Sequence, residues 1–94
     1  MTAYIIARID VTDPDEYMKY ASQTVALAEK AGGTFLVKGG AQTQVEGSSP
    51  DRHVVITFPT VAEAEAWYHS DEYQAILPIA LRASNRDLVI VEGV

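Results

Sequence analysis

Six side chains in this sequence carry the chemistry it can offer: Arg8, Asp10, Lys38, His53, Thr57 and His69. An imidazole gains and loses its proton near neutral pH, so His53 is the candidate general base and the one candidate catalytic residue. Arg8 and Lys38 can hold an anionic group such as a carboxylate; pairing with Asp10 is their plain alternative. Thr57 adds a hydroxyl to the same set. His69 stands beside Trp67 and Tyr68, where it can wall a pocket or simply meet the carbonyls of a helix end. Tyr17, Tyr20, Trp67, Tyr68 and Tyr73 read as core or interface, with hydroxyls able to orient a ligand. Other chemistries find no pattern. The chain has no cysteine and two histidines, without the spacing of a zinc site. Gly32-Gly33 and Gly39-Gly40 form no phosphate or dinucleotide loop, and Ser48-Ser49 lie in no nucleophile elbow. No metal and no cofactor are expected.

The elements that must position these residues follow from periodicity. Tyr4 to Val11 alternates as a strand, with Ile5, Ala7, Ile9 and Val11 on one face and Tyr4, Ile6, Arg8 and Asp10 on the other. Asp13, Pro14 and Glu16 make a helix start, with a cap, a first-turn proline and a capping-box glutamate. That helix is expected to reach Ala31, where Gly32-Gly33 stops it. Thr34 to Lys38 is a second strand, with Phe35 and Val37 facing one way and Leu36 and Lys38 the other. It is expected to resume through Thr43 to Glu46, before the turn Gly47-Ser48-Ser49-Pro50-Asp51. Arg52 to Phe58 is the third strand, with Val54, Ile56 and Phe58 apolar, opposite His53, Val55 and Thr57. Thr60 and Glu63 cap a second helix running to about His69. A short extra helix follows, containing Pro78, and Leu88 to Glu92 is the fourth strand.

Strand, helix, strand, strand, helix, strand is the order of an α+β, ferredoxin-like split βαβ sandwich: a four-stranded antiparallel sheet with two main helices on one face. The 94 residues make one domain, residues 1–94. This places Arg8, Asp10, Lys38, His53 and Thr57 together on the face without helices. Lys38 would reach the others from an edge strand beside the first. The apolar residues of that face, Tyr4, Ile6, Leu36 and Val55, call for a cover, and a second copy supplies a self-complementary one. A homodimer is therefore expected. Thirteen acidic against seven basic residues give a net charge of −6, which repels nucleic-acid backbones. No apolar run is long enough for a membrane span, and no secretory signal opens the chain. A cytoplasmic protein is the expectation.

The chain also resembles the uncharacterised family catalogued as domain of unknown function 1330. The likeness rests on Asp10-Val11-Thr12-Asp13-Pro14, Tyr17, Tyr20, Gly32-Gly33, Phe35 to Gly40, Glu46-Gly47, Arg52, Val54 to Ile56, Phe58-Pro59, Ala66-Trp67-Tyr68, Ser70, Glu72-Tyr73-Gln74, Pro78 and Asp87 to Gly93. It departs from the common pattern at Lys38, Thr57 and His69, where Arg, Glu and Asn are frequent. The resemblance implies membership of the dimeric α+β barrel superfamily, in which two ferredoxin-like subunits pair their sheets. That superfamily hosts several activities, so the fold does not fix the function. Two readings stand. One is a small dimeric protein that binds a small, carboxylate-bearing molecule beside the sheet. The other is a cofactor-independent small-molecule enzyme of oxygenase or isomerase type.

Overall fold

The computed structural model describes all 94 residues, Met1–Val94. Strand β1 (Ala3–Val11) is followed by α1 (Pro14–Lys30), β2 (Thr34–Lys38), β3 (Arg52–Phe58), α2 (Val61–Tyr68), α3 (Asp71–Ala83) and β4 (Ser84–Glu92). The four strands form one antiparallel sheet in the order β2-β3-β1-β4. Local chemistry sets the helix starts. Asp13, Thr60 and Ser70 each accept the backbone N–H three residues ahead, satisfying one of the amides that a helix N-terminus leaves without a partner.

The core lies between the sheet and its helices. Ile5, Ala7 and Ile9 of β1 and Val54, Ile56 and Phe58 of β3 meet Tyr17, Tyr20 and Ala28 of α1, Trp67 of α2 and Tyr73, Ile76 and Leu77 of α3. At Gly33 the chain passes so close to this core that an added Cβ would lie 2.7 Å from the Phe58 ring.

Four expectations are corrected. There are three full helices rather than two main ones and a short extra: α3, with 13 residues, is longer than α2, with 8. Its Ser70 cap restarts the helix, and it runs through an exposed Pro78, because tertiary burial of Tyr73, Ile76, Leu77 and Ala80 outweighs the missing N–H. The implied barrel is absent. The outer strands β2 and β4 each pair on one side only, and two intervening strands hold them about 14 Å apart, so the sheet stays open. Strand β2 does not resume; residues 39–51 form no strand. There Gln42 and Gln44 bond within their own loop, to Pro50, Ser49 and Glu46, and no further strand lies beyond the edge to pair with. Finally, β4 begins four residues before Leu88, at Ser84, because β1 offers backbone partners as far as Val11.

Candidate functional site

A β-bulge decides where the site lies. Phe35 pairs with Ile56 and Val37 with Val55, so β2 takes one extra residue between them. Side chains alternate in register only while the pairing is regular, and the extra residue reverses everything after it. Lys38 thus pairs with Val54 and turns to the helical face, while Val37 joins Val55 on the open face. Strand β2 also lies beside β3, not beside β1. Both facts separate Lys38 from the residues expected to surround it.

Those residues occupy the open face. Arg8 and His53 are direct neighbours across β1 and β3, but Arg8 is exposed. His53 Nδ1 lies 2.8 Å from Gln42 Oε1. Because the Gln42 amide donates to the Pro50 carbonyl, its oxygen faces the imidazole, and His53 must be the donor. Asp10 accepts the Asp51 amide at 3.1 Å, and Thr57 donates to the Thr34 carbonyl at 3.4 Å. His69 caps the end of α2 and stacks edge-on against Tyr68 at 5.1 Å, in an exposed position. Apart from Arg8, each is engaged locally, and no cavity gathers them.

The enclosed space is on the other face, between α1 and the sheet. Ile5, Ala7, Ile9, Val54, Ile56 and Leu88 floor it, and Tyr17, Tyr20, Ala21, Thr24 and Val25 roof it. Phe35 and Trp67 close its sides, and three cations, Lys38, Arg52 and Arg86, reach into it. No carboxylate or imidazole lines it. Register explains the cations. Ile9 of β1 pairs with Arg52 on one side and Arg86 on the other, and Lys38 stands one row along, opposite Val54. The three ion pairs of the chain join Glu16 to Lys19 and Arg82 and Glu72 to Lys30, so these three cations have no carboxylate.

Its inner end is a polar cluster. The Tyr20 and Tyr73 hydroxyls lie 2.8 Å apart, and Arg86 Nη2 donates to both, at 3.3 and 3.4 Å. The Arg86 guanidinium also lies over the Tyr20 ring, 5.2 Å from its centroid. Burial works against the Arg86 charge, but the two tyrosines beside it hold its pKa above the usual arginine value. Burial, reinforced by Tyr20, pushes the Tyr73 hydroxyl well above the usual phenol range, and burial raises Tyr17 too. Both therefore remain protonated donors. The paired hydroxyls carry two protons and use one between themselves, which leaves one to donate elsewhere.

Three buried side-chain polar atoms lack a hydrogen-bond partner: Arg52 Nε, Trp67 Nε1 and Arg86 Nη1. All three belong to residues lining this cavity, and all three are donors. A buried donor without an acceptor is costly and calls for an explanation. The cavity, about 40 Å³ in volume, has room for a few water molecules or a small acceptor group, which provides one. The sequence carried a signal for two of these residues. Arg52 is in phase with Val54, Ile56 and Phe58, and Arg86 with Leu88 and Ile90, so each places a charge on an apolar face. Arg86 was hidden because the fourth strand was expected to start only at Leu88.

The model of the family described as Domain of unknown function (DUF1330) matches residues 2–94. No curated protein matches the chain. Among solved structures, a dimeric ferredoxin-like protein of unknown function from Jannaschia sp. CCS1 is 14% identical, with a TM-score of 0.81 over 99% of this chain and 100% of its own. A protein of unknown function from Rhodopseudomonas palustris is 13% identical, with a TM-score of 0.78 over 99% and 82%. SnoaB, a cofactor-independent oxygenase from Streptomyces nogalater, is 13% identical, with a TM-score of 0.69 over 99% and 93%. At such identities the likeness is one of fold.

Proposed function

For this chain, which belongs to the DUF1330 family, we propose a cofactor-independent small-molecule enzyme of oxygenase type, whose substrate places an ionisable oxygen in the cavity of about 40 Å³ between α1 and the sheet. The observation that carries the reading is the convergence of three buried donors without partners on one apolar cavity. It is supported by the similarity in fold to a cofactor-independent oxygenase.

The chemistry follows from what lines the cavity. Cations and N–H or O–H donors in apolar surroundings favour the conjugate base of a bound acid. A substrate with a methylene group conjugated to its ionisable oxygen then loses a proton to solvent, because the cavity itself supplies no base. Its charge spreads onto the oxygen, held by Arg86. The carbanion gives its electrons to dioxygen, and a C–O bond forms. The peroxide takes up a proton from solvent, while the free hydroxyl of the Tyr20–Tyr73 pair donates it a hydrogen bond. The O–O bond then breaks as the second C–H proton leaves. In sum, one methylene group and one dioxygen become one carbonyl group and one water. Without a base of its own the cavity also suits a plain binding module, and one experiment separates the two. Phenols and enolisable ketones are screened for thermal stabilisation and, in parallel, for oxygen uptake in the presence of a chelator. Uptake equimolar with substrate is expected, falling about 100-fold or more in Arg86→Met, in line with the loss of one oxyanion donor. Stabilisation without uptake by any compound would overturn the enzyme and leave the binding module.

The working unit in this reading is a homodimer. Ile6, Val55, Val89 and Val91 share the open face of the sheet, with Val89 50% and Val91 44% exposed. Two solved proteins of similar fold are described as dimeric. A second copy placed face to face covers these residues.

A further inference from the structure

Arg86 carries its charge among neutral groups. Its Nη2 donates to the Tyr20 and Tyr73 hydroxyls, and the groups that support the charge are the phenols of Tyr20, Tyr73 and Tyr17. Burial holds Tyr17 and Tyr73 in the protonated form, so neither supplies a negative charge. None of the chain's ion pairs includes Arg86, and no carboxylate lines the cavity. Its Nη1 is buried and has no partner. A cation in apolar surroundings without a counter-charge is costly.

Side-chain contacts bring Trp67 to the same cluster. Its ring lies 4.4 Å from the Tyr73 ring, centroid to centroid, and the Tyr73 and Tyr20 rings are 6.1 Å apart. Trp67 Nε1 is a second buried donor without a partner. Among the side chains lining the cavity, only the hydroxyl oxygens of Tyr17, Tyr20 and Thr24 can accept. A water molecule brings two protons that need acceptors, whereas an anion brings none. The volume of about 40 Å³ has room for about three water-sized atoms. It admits a monatomic ion and excludes a ring.

We propose that the inner end of the cavity binds one dehydrated monovalent anion of halide size, anchored by the Arg86 guanidinium and bordered by Trp67. The substrate oxygen of the proposed reaction takes the same place, so halide and substrate exclude each other. The anion site itself needs no turnover, because charge, donors and volume carry it.

Trp67 is the single tryptophan of the chain and is 4% exposed, so a quencher in solution rarely collides with it. Protein prepared in sodium gluconate, whose anion is too large for the cavity, is titrated with sodium bromide at constant ionic strength. Bromide quenches indole on contact. It is expected to lower the emission along a saturable curve and to raise the thermal unfolding midpoint. Chloride, which does not quench, is expected to restore the emission and keep the stabilisation. Arg86→Met weakens bromide binding at least about tenfold, as the loss of a charge-assisted hydrogen bond warrants. Arg82→Met removes an equal charge from the surface pair with Glu16 and changes the affinity less than about twofold; circular dichroism verifies that both variants fold. Quenching that rises linearly with bromide, with no shift of the midpoint, overturns the anion site, and so does equal weakening in the two variants. Halide binding without oxygen uptake by any substrate leaves the anion site standing, and oxygen uptake without halide binding removes it and leaves the enzyme.

Discussion

Tyr73 and Tyr17 show how one residue's surroundings set its chemistry. Both hydroxyls are held in the protonated form mainly by burial, and this has a consequence for stability. In the unfolded chain a tyrosine ionises near about pH 10. Above that pH the unfolded state has lost protons that the native state keeps. The contribution of these raised values is therefore complete below about pH 10 and declines as pH rises through the native pKa. Alkaline titration followed by tyrosinate absorbance and circular dichroism is expected to show two of the five tyrosines ionising only as the fold is lost. All five titrating together, with the fold intact, would contradict that. At this scale the sequence was half legible. It marked the aromatic residues as core with usable hydroxyls, and it marked Lys38 as a cation able to hold an anion or to pair with Asp10. It did not reveal the cluster, because Tyr20, Tyr73 and Arg86 are 53 and 13 residues apart along the chain, and only packing brings them together. His53 differs from these: an imidazole invites a catalytic reading, and in the structure this one donates to Gln42 on the face away from the cavity.

Among the elements, the short edge strand β2 controls most. Its bulge moves Lys38 from one face of the sheet to the other, a change of a single residue in register with the largest effect on the site. The paired glycines before and after it do different work. Gly39 admits a guanidinium at the mouth, whereas Gly33 lets the α1–β2 connection press on Phe58. An alanine at position 33 would bring its Cβ within 2.7 Å of Phe58 Cζ and 3.0 Å of the Ala28 carbonyl. The Phe58 ring is 1% exposed and has little room to move. Gly33→Ala is therefore expected to destabilise the protein by about 1–3 kcal/mol, the ordinary cost of overpacking a filled core, measured by urea unfolding. A loss smaller than about 0.5 kcal/mol, the usual range of a neutral substitution, would mean that the ring yields. Helix α3 fastens α1 from the side. Arg82 reaches Glu16, and this hydrogen bond, with a second from Lys19, lowers the Glu16 pKa. The pair lies at the surface, with the Arg82 side chain exposed, so the contact orients the helices more than it stabilises them.

For the whole molecule, the open face of the sheet decides assembly. Val89→Lys introduces a charge at a position half exposed in the single chain, leaving the cavity on the opposite face untouched. Sedimentation equilibrium is expected to give twice the mass of one chain for the unaltered protein and one chain's mass for Val89→Lys, with unchanged circular dichroism. A single-chain mass for the unaltered protein removes the homodimer. The chain's own helices leave that face bare, and no helix in it is long and apolar enough to cross a membrane. Sequence by itself determined the order of the strands and of α1 and α2, the apolar face of β1 and β3, and the α+β class, because these depend on periodicities and caps confined to a few neighbouring residues. Tertiary structure alone decided that Lys38, Arg52 and Arg86 share a cavity. Which face a side chain takes depends on strand register, and register is fixed by pairing with a distant segment and by a bulge that local alternation does not reveal. It also decided that the sheet stays open and that α3 is a full helix, since both follow from where the burial of separated residues is most favourable, which no short stretch of sequence specifies.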